Sequence, residues 1–480
     1  MKTRALHRSR RGTQRGIGTV VIVMVLFFVV SLAAAYASRN MIFEQKTSSN
    51  QTRSTVAFEA AEAGVEWTLA QLNGGKIDTD CVNASPTTSF QNRYLAIDAN
   101  GIISAATTGR GTGTDPKLWP TCVHNGVDGW NCSCPTTANG TLSIPGGVPP
   151  PLPAFRVWPA TPEPSTVSSS PWTAWSAPIP GLMPINVVGC TALAVDSGDT
   201  CLDYYGRANL GEASAGQRVW LALRSGLAVP PSAAVTARIA VTPSSTAAAA
   251  GVKLIVTNED AASGGFTVNT GGAATRSAFD ARSVPGTPGS ASFADSDSRL
   301  VEVSTVSTAT GALTGGDRMF ALIFGAGRST YKDQPGLRHC TSPCAAANVN
   351  ALMASDPNRP IWVDGNLTVD ADIGDATTPA LLIVDGDTLT MSSGRTIYGF
   401  VYLTGGSTST DATINLPAGA SYIRGAVVAE RGLLTSYAST PASGQELTIT
   451  YDRAAMDKLR TSYGSWVRAP GGWSDFKAVP

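Results

Sequence analysis

The stretch GIGTVVIVMVLFFVVSLAAAYAS, residues 16–38, carries no charged side chain anywhere along its length. As a helix rising about 1.5 Å per residue, it is long enough to span the roughly 30 Å hydrocarbon layer of a bilayer. Six basic residues and no acidic residue precede it within residues 1–16. The positive-inside rule therefore predicts a cytoplasmic leader and an exported body. An ordinary secretory signal is the alternative, because Ala33-Ala34-Ala35 resembles a small-residue cleavage site.

The helical pattern continues past the apolar run. Residues 39–72 contain no proline and one glycine, Gly64. Steps of three and four residues predict an apolar stripe on one side of this segment. Its members are Val56, Ala60, Ala63, Trp67 and Ala70, with Glu59, Glu62 and Glu66 mostly elsewhere. Because Gly74-Gly75 ends the pattern, we predict a single helix of about 55 residues that is apolar first and then amphipathic.

A basic leader ending in Arg15-Gly16, an apolar run and a continuing amphipathic helix resemble a type IV prepilin. Within that superfamily, RSTVAFEAAEAGVEWTLAQL (53–72) is similar to the PilX-type minor pilins, whose helix carries an FxAAEAG motif. The motif residues here are Phe58, Ala60, Ala61, Glu62, Ala63 and Gly64. The resemblance implies that prepilin peptidase cuts after Gly16 and that the new terminus, Ile17, is N-methylated. Gly18 is a second candidate for the cut. The resemblance covers residues 12–72 and, more loosely, 316–476.

One position departs from the pilin pattern. By resemblance, major pilins place a glutamate fifth after the cut, where it pairs with the terminal amine of the preceding subunit. Here that residue is Val21, and a cut after Gly18 would give Val23. Since an apolar side chain cannot neutralise a buried ammonium, the sequence favours an initiating or tip subunit. The K-type pseudopilin of type II secretion also lacks this acid and is an alternative.

Charge and motifs argue against several function classes. Residues 17–480 carry 29 basic and 35 acidic side chains, which is not the positive footprint of a nucleic-acid-binding protein. The chain contains no phosphate-binding G-x-x-x-x-G-K-[ST] loop. After cleavage, His124 and His339 are the remaining histidines, and no nucleophile–base pair can be assigned. We therefore predict a non-enzyme without a cofactor, with a membrane-tethered hydrolase as a weaker alternative.

Eight cysteines follow the membrane segment: Cys81, Cys122, Cys132, Cys134, Cys190, Cys201, Cys340 and Cys344. An even number in an exported chain predicts disulfides. Spacing favours Cys190–Cys201 and Cys340–Cys344 as local closures and leaves the other pairing open, with free thiols as an alternative. The Cys/His spacings do not match a zinc site.

Asp370, Asp372 and Asp375, beside Gly374, bring three carboxylates into one short segment. Calcium favours such oxygen clusters. The spacing is not that of an EF-hand, so we predict a solvated loop, with a weak calcium site as the alternative.

We predict an α+β fold in which the long helix precedes a β-rich, disulfide-containing exported region. The expected divisions are a leader (1–16), the helix (17–75, with 17–38 in the membrane), a Cys-containing loop-rich module (76–144), a proline-rich linker (145–185), a β-rich domain (186–335) and a repeat-like β region with a short final helix (336–480). The linker holds Trp158, Trp172 and Trp175, which could form a contact surface. Runs at 218–223, 235–241, 252–257, 300–303 and 319–324 suggest antiparallel strands.

The last third of the chain repeats a local form. Four apolar strands each surround one glycine: Gly365, Gly386, Gly399 and Gly425. Their recurrence predicts either parallel β-helix coils or a rolled sheet. Asp452 is placed to cap a helix over Arg453–Arg460.

Together these features predict a PilX-type minor type IV pilin that primes pilus assembly or occupies the pilus tip. Its expected partners are other minor and major pilins, the inner-membrane assembly machinery and prepilin peptidase. The body would be periplasmic before assembly and at the cell surface afterwards. An alternative is a tip adhesin that binds a surface ligand through residues 76–300.

Overall fold

The computed structural model describes residues 17–82, 88–106, 119–127, 129–136, 151–159, 179–192, 201, 213–243, 254–302, 315–406, 411–417, 419–437 and 446–475. Its first element is helix α1, which runs from Ile17 to Asn73 over 57 residues. This confirms the single long helix predicted from the sequence. The helix ends at Gly74, whose N–H donates to the Gln71 carbonyl at 3.1 Å. The leader, including Gly16, lies outside the described residues.

Short elements follow α1. They are β1 (Lys76–Ile77), β2 (Thr88–Ser89), α2 (Phe90–Tyr94), β3 (Leu95–Ile97) and β4 (Ile103–Ala105). β1 pairs with β2 and β3 with β4, both antiparallel. Two-stranded ribbons are marginally stable on their own, and here the Cys81–Cys134 disulfide ties the segment to the sheet that follows.

That sheet, called the head sheet, lies against the second half of α1. It contains β5 (Thr121–His124), β6 (Trp130–Ser133), β7 (Leu152–Pro159), β8 (Leu182–Ala192), β9 (Ser214–Ser225) and one strand from the end of the chain. All its pairings are antiparallel. Disulfides join Cys122 to Cys132 across β5 and β6, and Cys190 to Cys201 after β8.

The linker predicted over 145–185 is wrong for the residues that the structure describes. β7 lies between β5 and β8, and β8 lies between β7 and β9, so both are central strands. Pro153 and Pro159 fall near the ends of β7, where a missing N–H disrupts the ladder least. Burial of Phe155 and Val157, both fully enclosed, outweighs that loss. Trp158 is partly buried in β7, and Trp172 and Trp175 lie outside the described residues.

The next part of the chain builds parallel strands and short helices. These are β10 (Val235–Ala237), β11 (Val241–Pro243), β12 (Leu254–Asn258), β13 (Val268–Thr270), β14 (Phe279–Ser283), β15 (Phe293–Ala294), α3 (Ser298–Glu302), α4 (Gly315–Phe324) and α5 (Arg328–Lys332), with 3₁₀ turns at Ala261–Ser263, Arg276–Ala278 and Gly289–Ser292. The strands expected at 300–303 and 319–324 are wrong for the described residues, since helices occupy 300–302 and 319–324. Met319, Phe320, Ile323 and Phe324 are buried at the spacing of one helix face, which a short apolar run does not distinguish from a strand.

Regular coils follow. Their elements are β16 (Arg338–Cys340), β17 (Cys344–Ala345), α6 (Ala346–Ser355), β18 (Ile361–Val363), β19 (Leu367–Val369), β20 (Ala380–Val384), β21 (Thr388–Met391), β22 (Thr396–Leu403), β23 (Ala412–Leu416), β24 (Ser421–Ala429), β25 (Leu433–Tyr437) and β26 (Leu447–Thr450). The even-numbered strands from β16 to β26 lie in one parallel sheet, and the odd-numbered strands from β17 to β25 lie in a second. Successive turns of chain thus stack with an apolar interior, which confirms β-helix-like coils. The Cys340–Cys344 disulfide closes the first coil.

Glycine is required where two coils meet. Gly399 and Gly425 are register partners in β22 and β24, with φ of 132° and 145°. A Cβ on Gly399 would overlap the Ala380 carbonyl oxygen, and a Cβ on Gly425 would overlap that of Gly399. Any other residue would therefore force the coils apart.

Earlier strands complete the same sheets. β10 pairs with β24, β11 with β25 and β12 with β26, all parallel. The boundary predicted between 186–335 and 336–480 is therefore wrong, because strands from both sides share one core. The antiparallel arrangement expected for 235–257 is also wrong. Period-two patterns reveal a strand but not its partner.

The chain finally returns to the head sheet. Helix α7 (Arg453–Ser462) begins where Asp452 accepts a hydrogen bond from the Ala455 N–H, as predicted. The last strand, β27 (Gly464–Asp475), then pairs antiparallel with β9. The coils and their flanking helices, residues 226–463, are thus an insertion between two neighbouring strands of the head sheet.

Candidate functional site: helix α1 and its seat

The first part of α1 stands clear of the body. Residues 18–52 are exposed along their whole length, about 52 Å of helix at the usual rise. Within the described chain, α1 is the helix long and apolar enough to cross a membrane. Ile17 is its first residue, and its first turn carries no acidic side chain. Val21 is 55% exposed, so nothing in the described chain covers the position where an acid is missing.

The second part of α1 is seated on the head sheet through small side chains. Its buried residues are Ala57, Ala60, Ala61, Gly64, Val65, Thr68, Leu72 and Asn73. The predicted stripe is displaced from this face: Ala60 is buried, but Val56, Ala63 and Trp67 are partly buried and Ala70 is exposed. The helix presents small residues to the sheet from Ala57 to Gly64, and Val65 and Leu72 are buried further along. Glu59, Glu62 and Glu66 are exposed, as expected.

The motif residues let helix and strands come unusually close. A Cβ placed on Gly64 would lie 2.6 Å from Val187 Cγ1 and 2.9 Å from the Phe155 ring. From the opposite side, a Cβ on Gly189 of β8 would overlap the Ala57 carbonyl and the Ala61 amide. Gly64 of the helix therefore faces the strands, and Gly189 of β8 faces the helix, where the two backbones approach each other. The FxAAEAG motif fits a packing role, with Ala60, Ala61 and Gly64 facing inward.

The other motif residues flank this contact. Phe58 and Ala63 are partly buried and Glu62 is exposed. Next to them, the Trp67 ring lies 5.6 Å from the rings of Phe90 and Phe155. This aromatic contact fixes the rotation of α1 on the sheet, because edge-to-face and tilted ring pairs have preferred geometries.

The C-terminus of α1 is held by side chains from the coils. Arg359 donates to the carbonyls of Leu72, Gly74 and Gly464, and Arg338 donates to the Asn73 carbonyl at 2.8 Å. Guanidinium groups at the last carbonyls satisfy orphan acceptors and complement the helix dipole. Burial, reinforced by the nearby Arg338 charge, lowers the pKa of Arg359 to about 10.

Two further contacts complete this junction. The Asn73 side chain donates to the Trp466 carbonyl at 2.9 Å and accepts from the Trp466 N–H at 2.8 Å. Arg338 also pairs with Asp356 at 2.9 Å. Desolvation acts to raise the pKa of Asp356, but hydrogen bonds from Arg338 and Ser355 outweigh it, so that its pKa lies below the ordinary value. Sequence reasoning missed these residues, because no local pattern links 338 and 359 to the end of α1.

Two of the three carboxylates of the calcium candidate already accept hydrogen bonds from neighbouring residues. Asp375 accepts hydrogen bonds from Thr377 and Thr378, which lower its pKa to about 2. Asp372 accepts from the Thr396 N–H at 2.9 Å, and Asp370 is exposed. Among the described residues, no group of three His, Cys, Asp or Glu side chains could hold a metal ion.

The cysteines and histidines are likewise occupied or apart. All eight cysteines form disulfides, including the two local closures predicted from spacing. The His124 and Trp130 rings meet edge to face with centroids 5.3 Å apart, whereas His339 Nδ1 lies 3.4 Å from Asp364 Oδ2. The two histidines therefore lie on different sheets.

Residues 15–66 match the protein family described as PilX N-terminal. The match covers the apolar half of α1 and its motif, a small part of the 480-residue chain. No curated protein and no solved structure matches the chain.

Proposed function

We propose that this chain, which its N-terminal segment identifies as a protein related to the PilX-type type IV pilins, is a minor pilin that primes pilus assembly or occupies the pilus tip. It acts as a structural subunit without catalysis or cofactor. Prepilin peptidase cleaves after Gly16 and leaves Ile17 as the methylated N-terminus. The observation that supports the proposal is the long helix, which is exposed in its first half and seated on a large β-rich body in its second.

The exposed half of α1 occupies two apolar environments, one before and one after assembly. Residues 17–38 hold the subunit in the inner membrane, and the same apolar side chains then pack against helices of other pilins. Large exposed side chains such as Phe27 and Phe28 (74% and 66% exposed) find apolar surroundings in both places. Inner-membrane machinery moves the subunit from one environment to the other.

Val21 sets the position of the subunit in the stack. A subunit with another above it must neutralise the terminal amine of that neighbour, because a buried ammonium without a partner is costly. With valine at this position the chain receives no subunit above it. It therefore starts the stack, with the head sheet and coils facing outward.

Deletion and complementation test this proposal. The gene is deleted in its native host and replaced by the wild-type chain, by Val21→Leu or by Val21→Glu. We expect few surface pili without the chain and restoration by wild type and by Val21→Leu, which is the matched apolar control. Gold-labelled antibody should mark pilus ends for these two and should spread along the shaft for Val21→Glu.

Pilus number unchanged by the deletion would reject the priming role, and wild-type label along the whole shaft would reject the tip role. Two further readouts separate the alternatives. Loss of exported enzymes from the medium with normal pili would indicate a K-type pseudopilin. Normal pili with lost surface attachment after removal of residues 76–300 would indicate an adhesin. Mass spectrometry of the mature N-terminus checks Ile17 against a terminus near Tyr36.

A further inference from the structure

The exported part of α1 below the head carries a regular row of cations. Arg39, Lys46 and Arg53 recur at every seventh position. A heptad is close to two helical turns, with a drift of only about 20° per step. The three cations therefore form one stripe, here called the basic stripe, which extends about 21 Å along the axis at 1.5 Å per residue.

The carboxylates lie on the opposite side. Glu44 and Glu62 are separated by about five full turns of helix, so they share one face. At about 100° per residue, Glu44 lies roughly 140° around the axis from Arg39. Glu59 lies on the same side as Glu44 and Glu62. The helix is thus basic on one side and acidic on the other.

The basic stripe continues the face that seats α1 on the head sheet. Arg53 precedes Ala57 by one turn and Ala60 by two, and both alanines are buried against the head. Positions one or two turns apart share a helix face. The stripe therefore lies on the side above which the head projects, where a lower neighbour in a stack would lie.

Nothing within the described chain neutralises the stripe. Arg39 and Lys46 are exposed and Arg53 is partly buried, and in the described residues none of the three forms an ion pair. On the acidic side Glu66 pairs with Arg468 of β27, whereas Glu44, Glu59 and Glu62 form no ion pair within that same part of the chain. The unpaired cations of the helix hence lie below the head, whereas the unpaired Glu59 and Glu62 lie beside it.

We propose that the basic stripe binds the helix of a different pilin subunit that presents carboxylates about four turns apart on one face. This inference rests on the proposed function. The chain itself shows that a helix can carry such a spacing: Arg39 and Arg53 lie about four turns apart, as do Glu44 and Glu59. A second copy is not the partner, because under the proposed function Val21 prevents one copy from stacking on another. If two parallel helices are offset by about 8 Å along their axes, Arg39 and Arg53 of one helix each lie at the same height as a carboxylate of the other.

Anionic lipid is a poorer partner for this stripe. If residues 17–38 span the membrane, Lys46 and Arg53 stand about 10 and 21 Å beyond Arg39 on the exported side. The Debye length is about 8 Å at physiological salt, so headgroups attract Arg39 and hardly reach Arg53. A partner that extends along the helix reaches all three cations.

In-cell photocrosslinking of the full chain tests the stripe. A benzophenone amino acid replaces Asn50, which lies one turn after Lys46 and one turn before Arg53. The same probe at Ser48, one turn after Glu44, samples the acidic side. We expect a protein adduct from position 50 that mass spectrometry identifies as another pilin, and at least fivefold less of it from position 48.

Charge variants then test the chemistry. Arg39→Gln, Lys46→Gln and Arg53→Gln together remove three positive charges. The matched control, Gln45→Glu, Ser48→Glu and Thr52→Glu, adds three negative charges on the other side. An exposed ion pair contributes a factor of about three, so we expect the position-50 adduct to fall at least tenfold in the first variant and to stay within twofold in the control. Both should keep the mature N-terminus and membrane retention.

The outcomes separate this inference from the proposed function. A pilin adduct that the triple neutralisation leaves unchanged overturns the basic stripe alone. The absence of any pilin adduct from position 50, together with normal pilus number in the deletion strain, overturns the proposed function as well. An adduct with a second copy of this chain also overturns the partner assignment. The same conclusion follows if no protein adduct forms and the neutralised variant is lost from membranes in a salt-dependent way.

Discussion

Alanine at Gly64 should destabilise the protein although it favours the helix. In an unobstructed helix interior, Gly→Ala stabilises by about 1 kcal/mol. Here the new Cβ would lie 2.6 Å from Val187 Cγ1, and overpacking of this kind costs about 1–3 kcal/mol. Val187 and Phe155 meet the Cβ with side-chain atoms that can shift by a few tenths of an ångström. We therefore expect a net loss of about 1 kcal/mol.

Gly189→Ala should cost more than Gly64→Ala. Its Cβ meets the backbone of Ala57 and Ala61, which cannot rotate away, so α1 must lift from the sheet. We expect a loss of about 3 kcal/mol, the upper part of the overpacking range. Gly327→Ala is the control, because no atom lies within 4 Å of its Cβ and its φ is −62°. That substitution should change stability by no more than about 0.5 kcal/mol.

The measurement is urea unfolding of the full chain in detergent micelles, followed by tryptophan fluorescence. Trp67 and Trp466, at the helix–sheet contact, report on this region. A Gly64→Ala protein stabilised by the full helix-propensity gain would refute the close packing of α1 on β7 and β8. So would equal losses for Gly64→Ala and Gly189→Ala, since the two glycines would then not differ in what they meet.

Three further perturbations address other parts of the molecule. Arg359→Leu should cost about 2–3 kcal/mol in urea unfolding, because buried carbonyls at the end of α1 lose their donors. Replacing Cys81 and Cys134 by serine should cost about 4 kcal/mol, against about 2 kcal/mol for Cys340 and Cys344, because chain entropy scales with loops of 53 and 4 residues. The lowered pKa of Asp356 means that its stabilisation is present above about pH 4 and is lost as pH falls through the folded-state pKa. Asp356→Asn should therefore be less stable at pH 7 and should lose less stability than wild type between pH 4 and pH 2.

The sequence was most informative where structure is local. Helix α1 could be predicted over nearly its full length, because the apolar run and the absence of proline lie within it and Gly74-Gly75 follow its last residue. The register of its buried face was not predicted. A prediction from periodicity gives most weight to large apolar side chains. The head sheet instead contacts Ala57, Ala61 and Gly64, because only small residues allow the helix and strand backbones to approach.

The pairing of strands that lie far apart in the chain could not be predicted from a single sequence. The glycines at 399 and 425 indicated coils, since stacking leaves no room for a Cβ there. The parallel pairing of β12 with β26 joins segments far apart in the chain, and nothing in either segment specifies the other. The same holds for Arg359, whose role depends on three carbonyls supplied by the end of α1 and the start of β27.

The topology explains how so large a body can be attached to a single helix. The coils are inserted between β9 and β27, which are paired along most of their length, so the chain enters and leaves the insertion at one point of the head sheet. Two flexible connections at such a point would leave the coils free to swing. Arg338 and Arg359 add contacts outside this point, because they extend from the coils to the last carbonyls of α1. Ser465 of β27 adds to this junction, since its hydroxyl donates to Gln334 and accepts from the Gly336 N–H. The coils are therefore positioned jointly by the end of α1 and the start of β27.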